Sequence, residues 1–314
     1  MQDGFGRTID YLRLSVTDLC NYRCRYCMPE SGVEKLPHSA VLSVEELVEI
    51  GRAAVACGIR KIRLTGGEPL VRRGILDICR GLRAIPDLDE LCMTTNGSLL
   101  PEFARPLRQA GIDRLNISLD TLRENSFASM TRRGRLAEVL DGIAAAEQAG
   151  FQNLKLNTVL IGGWNDAEIP DLVRLTLTHP WEIRFIELMP MGECADWEPS
   201  CFLPAEAVLR ACPALEPVPD GGVARRYRLP GAVGTVGLIS PLSCSFCSRC
   251  NRIRVTAEGN LKSCLHSGEE LPLRGLHGEE LKAAICRGIG QKPKRHHLLE
   301  TGSGAGRDMN EIGG

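Results

Sequence analysis

Three thiols fall close together near the N-terminus, in Cys20-Asn-Tyr-Arg-Cys24-Arg-Tyr-Cys27, directly after the strand-like run Tyr11-Leu-Arg-Leu-Ser-Val16. A structural zinc ion takes four ligands, and the nearest further candidate, His38, lies beyond a Pro- and Gly-containing segment. Three thiolates instead suit an iron–sulfur cubane that keeps one iron open, and an open iron is a place for chemistry. The plainer readings are chance clustering, a disulfide, or a zinc site completed from elsewhere. A second group, Cys244-Ser-Phe-Cys247-Ser-Arg-Cys250 with Cys264 further on, matches both a zinc ribbon and an iron–sulfur site. Spacing alone favours zinc there.

Other residues in the chain invite a ligand. The glycines of Gly66-Gly67-Glu68-Pro69 would let the backbone close on a small molecule, and Glu68 can accept from an ammonium group. A strand-to-helix turn explains those glycines almost as well. Arg13 and Arg63 each stand inside a strand, where a charge needs a partner or a way out to solvent. Arginine also offers planar, bidentate donors for phosphate.

The elements that must position these groups alternate regularly. After the first thiols, Leu47 to Val55 reads as an amphipathic helix opened by Ser43, with Glu46 completing a capping box. Strand Lys61 to Thr65 follows, then helix Gly74 to Ala84, strand Glu90 to Thr94, helix Pro101 to Ala110 and strand Arg114 to Ser118. Helix Leu136 to Ala149, strand Leu154 to Leu160, helix Glu168 to Thr178 and strand Ile183 to Glu187 complete the pattern. Such alternation predicts a parallel sheet with helical crossovers, either doubly wound or a barrel. The chemistry-bearing residues sit at or near the carboxyl ends of different strands, as the rim of a barrel requires. The expectation is an α/β fold, an incomplete (βα)6 TIM-type barrel, over residues 1–190.

Beyond Pro190 the periodicity is lost, apart from one short helix near Pro204 to Ala211. Residues 191–314 therefore read as a C-terminal cluster-binding and substrate-binding region. Arg225 to Leu229, Gly234 to Ile239 and Ile253 to Val255 read as strands of an antiparallel appendage, and Gly302 to Gly314 is Gly-rich and polar, the composition of a frayed end.

The chain has 314 residues, 14 cysteines and a formal charge of −1. That many thiols without a secretory h-region point to a reducing compartment, the cytoplasm. No apolar run approaches the ~18 residues that span a bilayer, and the charge balance disfavours a dedicated nucleic-acid binder.

The first thiol motif, with Tyr26 before its third cysteine, resembles that of radical S-adenosylmethionine (SAM) enzymes. The stretch from Phe246 to Leu265 resembles the C-terminal cluster segment of the GTP 3′,8-cyclase (molybdenum-cofactor biosynthesis protein A) family. That likeness runs from Asp3-Gly-Phe-Gly-Arg7 through Thr94-Thr-Asn-Gly97, Asn116 to Asp120, Lys155-Leu-Asn157, Arg184 to Gly192, Lys292-Pro-Lys294 and His296-His297 to the final Gly313-Gly314. Cys244 departs from the family pattern.

The resemblance implies two [4Fe–4S] clusters, one on Cys20, Cys24 and Cys27 and one on Cys247, Cys250 and Cys264. SAM would chelate the open iron of the first and yield a 5′-deoxyadenosyl radical, with Tyr26, Gly67, Ser118 and Met189 as contacts. GTP would meet Arg13, Arg63, Thr94, Lys155, Arg252 and Arg254, with its guanine on the second cluster. Arg13, Arg252, Arg254, Gly313 and Gly314 would attend the chemistry, with the terminal glycines threading into the barrel. The radical would take hydrogen from C3′ of GTP, and the resulting carbon radical would attack C8. The same likeness implies a downstream cyclic pyranopterin monophosphate synthase, a reductant protein such as a flavodoxin or ferredoxin, and a homodimer as one allowed assembly. The competing expectations are another two-cluster radical SAM enzyme, for instance one that modifies a peptide, and a zinc-stabilised binding module without catalysis.

Overall fold

A computed structural model describes residues 1–34, 36–219 and 222–313, together with the backbone but not the side chains of His38, Leu299 and Thr301. Six strands, β1 (Tyr11–Ser15), β2 (Lys61–Thr65), β3 (Glu90–Thr95), β4 (Arg114–Ser118), β5 (Lys155–Leu160) and β6 (Glu182–Glu187), lie side by side in chain order and in parallel. Their apolar residues, such as Leu12, Ile62, Leu91, Ile117, Leu156 and Ile183, are fully or almost fully buried. Between them run α1 (Val44–Ala56), α2 (Ile75–Arg83), α3 (Leu100–Gln109), α4 (Glu124–Thr131), α5 (Leu136–Gln148) and α6 (Ile169–Thr178). The expected capping box on α1 is present: the Ser43 hydroxyl accepts from the Glu46 N–H, and the Ser43 N–H donates to the Glu46 carboxylate.

The C-terminal half carries the expected antiparallel strands and adds two of its strands to the barrel wall. After α7 (Glu206–Ala211) and β7 (Glu216–Val218) come β8 (Arg225–Arg228), β9 (Thr235–Ile239), β10 (Arg252–Val255), β11 (Asn260–Lys262) and β12 (Leu271–Pro272). β9 pairs in parallel with β6, and β10 pairs in parallel with β1, so these two strands extend the barrel wall on one side and carry antiparallel strands on the other. On their outer sides β9 pairs antiparallel with β8 and β8 with β7, and β10 pairs antiparallel with β11 and β11 with β12. The reason is connection length: a long segment separates β6 from β9, and a parallel partner needs such a crossover. The result is one open sheet in the order β12-β11-β10-β1-β2-β3-β4-β5-β6-β9-β8-β7.

Among the described residues three α-helices go beyond those that the sequence predicts: α4, α8 (Gly278–Gly290) and the single turn α9 (Leu298–Thr301). α4 is short, and it packs on α5. α8 buries Leu281, Ala284, Ile285, Gly288 and Ile289, a helical spacing that the sequence does carry. It packs along α1 and against β11.

Residues 302–313 of the Gly-rich tail are packed into the structure, contrary to their composition. Met309–Ile312 forms a 3-10 turn with Asp308 and Glu311 as its capping box, and Asn310 and Ile312 are each 1% exposed. Polar glycine-rich sequence lacks its own reason to order, so the order comes from what the tail packs against.

Candidate functional site

The site begins with strand register. Because residues in register on neighbouring parallel strands share a face, β10, β1 and β2 place Arg254, Arg13 and Arg63 in one row. Two residues back, Arg252, Tyr11 and Lys61 form a second row. Like charges side by side repel, and here they are buried: Arg63 is 4% and Arg254 9% exposed. Burial, then the neighbouring Arg254, push the Arg13 guanidinium well below its ordinary value. Burial and Arg252 bring Arg254 down to about 10.

Several local contacts hold the rows. Arg13 donates from Nε and Nη2 to the Gly313 carbonyl at 3.2 and 2.9 Å, and Arg254 Nη1 donates to the same oxygen at 3.2 Å. Arg63 donates to the Tyr11 hydroxyl and to the Met93 carbonyl. Burial raises the Tyr11 phenol, but Arg63, Arg13, Arg252 and Lys61 outweigh it and bring the group to about 8. The Arg252 guanidinium lies over the rings of Tyr11 and Phe246, at 5.6 and 5.5 Å from their centroids.

These residues line a cavity of about 550 Å³, and the six cysteines of the two motifs open onto it as well. Tyr26, Gly67, Ser118, Met189, Thr94 and Lys155 are on its walls. Gly313 reaches the site through its carbonyl, whereas Gly314 lies outside the described residues. Cys244 is exposed and does not line the cavity.

The first cysteine loop is fixed from below by the glycine turn. The Gly67 N–H donates to the Thr17 carbonyl at 2.9 Å, and the Glu68 N–H to the Leu19 carbonyl at 2.8 Å. A Cβ on Gly67 would sit 2.3 Å from the Leu19 oxygen, so only glycine allows this approach. Glu68 departs from its expected role. Its carboxylate is buried away from the cavity and accepts from Thr95 Oγ1, Asn96 N and Leu70 N, which leaves it as a brace for the β3 loop rather than an acceptor for a ligand ammonium. Burial pushes this carboxyl up to about 7 despite those three donors.

The second cysteine loop is held by residues that the sequence reading left without a role. The Arg7 guanidinium bonds Asp3 at 2.6 Å and donates to the carbonyls of Cys247, Pro293 and Lys294 at 2.7, 2.7 and 3.0 Å. Lys292, 4% exposed, donates to the carbonyls of Arg252 and Ser263 at 2.8 and 2.6 Å. Lys61 and Arg184 also line the cavity and were not singled out as ligand contacts. Lys61 stands two residues before Arg63 on one strand, a signal of a shared face that the sequence contains. At the barrel floor Glu182 bonds Arg184 Nε at 2.7 Å and Lys155 Nζ at 3.4 Å.

The donor sets fit clusters and a ligand. Burial raises the Cys20, Cys24 and Cys27 thiols, Cys20 to about 11, and for Cys24 and Cys27 the neighbouring thiols of the same motif add to the rise. Three thiols that repel one another's ionisation are a site for a cationic centre. Among the described residues no three His, Cys, Asp or Glu side chains converge on a single metal ion. Thr65 Oγ1, Thr94 Oγ1, Asn116 Oδ1, Asn157 Oδ1, Arg252 Nε and Asn310 Oδ1 are buried without a protein partner, and all six residues line the cavity. Buried polar atoms are normally satisfied, so this concentration of orphans marks where a polar ligand binds.

A barrel whose first strand feeds a three-cysteine loop defines the class. The family model of the radical SAM superfamily matches residues 14–176, and that of molybdenum cofactor synthesis C matches residues 181–298. The chain is similar over 92–97% of its length to solved Streptococcus suis SuiB structures, for example the SAM-bound form with TM-score 0.64, 12% identity and 77% of that chain covered. It is likewise similar to anSMEcpe with bound AdoMet, with TM-score 0.59 and 13% identity over 91% of this chain and 82% of that one. At full length it is 48% identical to the GTP 3′,8-cyclase of Pelotomaculum thermopropionicum, covering 100% of both chains, and 52% identical to that of Geobacter sulfurreducens, covering 94% of both. The chain belongs to the GTP 3′,8-cyclase family of radical SAM enzymes.

Proposed function

We propose that this chain converts GTP to 3′,8-cyclo-7,8-dihydro-GTP in molybdenum cofactor biosynthesis. The observation that carries the reading is the pair of cationic rows across β10, β1 and β2, set in one cavity with both cysteine triplets. Closely set buried guanidiniums favour a polyanion, and a nucleoside triphosphate is one. Full-length identity to curated cyclases supports the same substrate over a peptide. The similarity to SuiB, at 12% identity, speaks only to the fold.

The cysteines of the first loop would hold one [4Fe–4S] cluster and those of the second loop another. When bound, the first cluster and SAM supply the one-electron chemistry that lets hydrogen leave C3′ of GTP. The protein's own residues do the rest. Tyr26, Gly67, Ser118 and Met189 would seat SAM, and Arg13, Arg63, Thr94, Lys155, Arg252 and Arg254 would seat the nucleotide. Arg252, whose guanidinium lies over two aromatic rings, stands beside the second triplet, where it can face a purine edge. The Gly313 carbonyl aligns Arg13 with Arg254, so the tail positions catalytic groups, and Gly314 belongs to the same proposal. The division into a barrel over 1–190 and a cluster-binding region over 191–314 follows that assignment of roles.

No helix among the described residues is long and apolar enough to cross a membrane. A cytoplasmic address, a flavodoxin- or ferredoxin-like reductant, a cyclic pyranopterin monophosphate synthase acting next and a homodimer complete the proposal. The test is anaerobic reconstitution with iron and sulfide, then incubation with GTP, SAM and a reductant. A brown protein that consumes GTP to the cyclised product is expected. A colourless zinc protein, or one that cleaves SAM and leaves GTP untouched, overturns the reading.

A further inference from the structure

Eight of the 14 cysteines lie outside the two triplets, and two of those eight meet each other. Cys57 caps the C-terminus of α1, and Cys286 sits within α8. Their sulfurs are 2.7 Å apart across 229 residues of sequence. Cys57 Sγ also lies 3.3 Å from the Lys282 carbonyl, one turn back along α8. The Cys57 S–H donates to the Lys282 carbonyl, and the two sulfurs are in direct contact, with either thiol able to donate to the other. The two differ in access. Cys57 is 6% exposed and belongs to the main core, whereas Cys286 is only partly buried at the edge of that core.

We propose that Cys57 and Cys286 form a dithiol modification site that reacts with low-molecular-weight disulfides to give a disulfide joining α1 to α8. The more accessible Cys286, as thiolate, attacks one sulfur of R–S–S–R, forming a Cys286–S–S–R bond and releasing RS⁻. Cys57, as thiolate, then attacks the Cys286 sulfur and expels the second RS⁻. The protein loses two electrons and two protons, and one R–S–S–R becomes two RSH. Burial, with the contact to Cys286, pushes the Cys57 thiol up to about 12, in keeping with its acting second.

The tie falls where it bears on the proposed second cluster site. α8 runs directly into Lys292, Pro293 and Lys294, which hold the backbone of Arg252 and Ser263 and accept from Arg7. A covalent link from α8 to α1 restrains that segment against the barrel, independently of whether a cluster is present. It removes freedom from a very long loop of the unfolded chain, the condition under which a crosslink stabilises most.

The test uses the anaerobically reconstituted full-length protein, equilibrated with mixtures of reduced and oxidised glutathione. Free thiols are then trapped by alkylation, and peptides are mapped by mass spectrometry. In the wild type a Cys57–Cys286 linked peptide is expected to accumulate, with little glutathione retained on either residue. Cys57→Ser should trap glutathione on Cys286, and Cys286→Ser should leave Cys57 unmodified. The oxidised wild type should melt at higher temperature than the reduced form, a shift absent from both variants. Iron content equal to wild type shows that each variant is folded; if serine lowers it, Cys286→Ala replaces Cys286→Ser. Failure of the linked peptide to form in the folded protein, or its appearance only after unfolding in urea, overturns the proposal. Because the readout is a peptide map, the outcome does not depend on whether the protein cyclises GTP.

Discussion

The Gly313 carbonyl accepts from both Nε and Nη2 of Arg13, 300 residues away in sequence. The same oxygen accepts from Arg254, so one backbone group near the C-terminus bridges two like-charged guanidiniums.

Gly313 has φ of 73°, and a Cβ there would lie 2.4 Å from Thr65 Oγ1. Both the left-handed backbone and the close approach need glycine. Gly313→Ala is therefore expected to leave folding, iron content and SAM binding near wild type while the rate of GTP conversion falls on the order of 100-fold, the usual scale for misplaced groups. Deleting Gly313 and Gly314 together should do the same. Wild-type turnover of GTP by the truncated protein would reduce the tail to a tail.

The two cysteine groups should be separable. Cys24→Ser is expected to abolish SAM cleavage and Cys250→Ser to leave some uncoupled SAM cleavage, each with about half the iron of the wild type. Cys244→Ala should keep all the iron, because that exposed thiol is off the cavity. Iron analysis with SAM-cleavage assays decides the matter, and full iron in the Cys250 variant would refute a second cluster.

Arg252→Ala should weaken GTP binding by roughly 1.5–3 kcal/mol, the worth of a charge-assisted contact, with SAM affinity almost unmoved. Arg63→Ala should weaken GTP as well. It also strips partners from Tyr11 and the Met93 carbonyl, so a lowered melting temperature is expected in that variant alone. Calorimetric titration with each ligand checks both, and equal loss for GTP and SAM would place these residues in the wrong site.

Lys155 gives the pH dependence. Burial, then Arg184, bring its ammonium from the ordinary 10.5 down to about 8, with Glu182 opposing. Between those values the unfolded chain binds more protons than the folded one, so the Lys155 contribution to stability rises with pH across that window; below it the buried charge is a constant cost. GTP binding runs the other way, because an uncharged Lys155 attracts no phosphate. The dissociation constant should rise toward about tenfold per pH unit above the folded pKa, and Lys155→Arg, which stays charged, should flatten the profile. Tyr11 also titrates at about 8, and its phenolate would weaken a polyanion with the same sign, so Tyr11→Phe separates the two. A profile unchanged by Lys155→Arg assigns the effect elsewhere.

Sequence by itself carried the periodic part of this protein. Apolar alternation marked β1 to β6 and most of their crossover helices, because a buried parallel strand and an amphipathic helix each write their burial into local spacing. Thiol spacing likewise marked both cysteine loops, since ligands within one loop are close in sequence. Pairing was another matter. That β9 and β10 join the barrel in parallel, and that Arg254, Arg13 and Arg63 stand in one row, depends on register between strands far apart in the chain. Nothing local distinguishes Glu68 as a buried brace from Glu68 as a ligand contact, or a glycine-rich tail that frays from one whose carbonyl holds two arginines. Those outcomes rest on which surfaces meet after the chain has closed on itself, and only the tertiary structure brings them together.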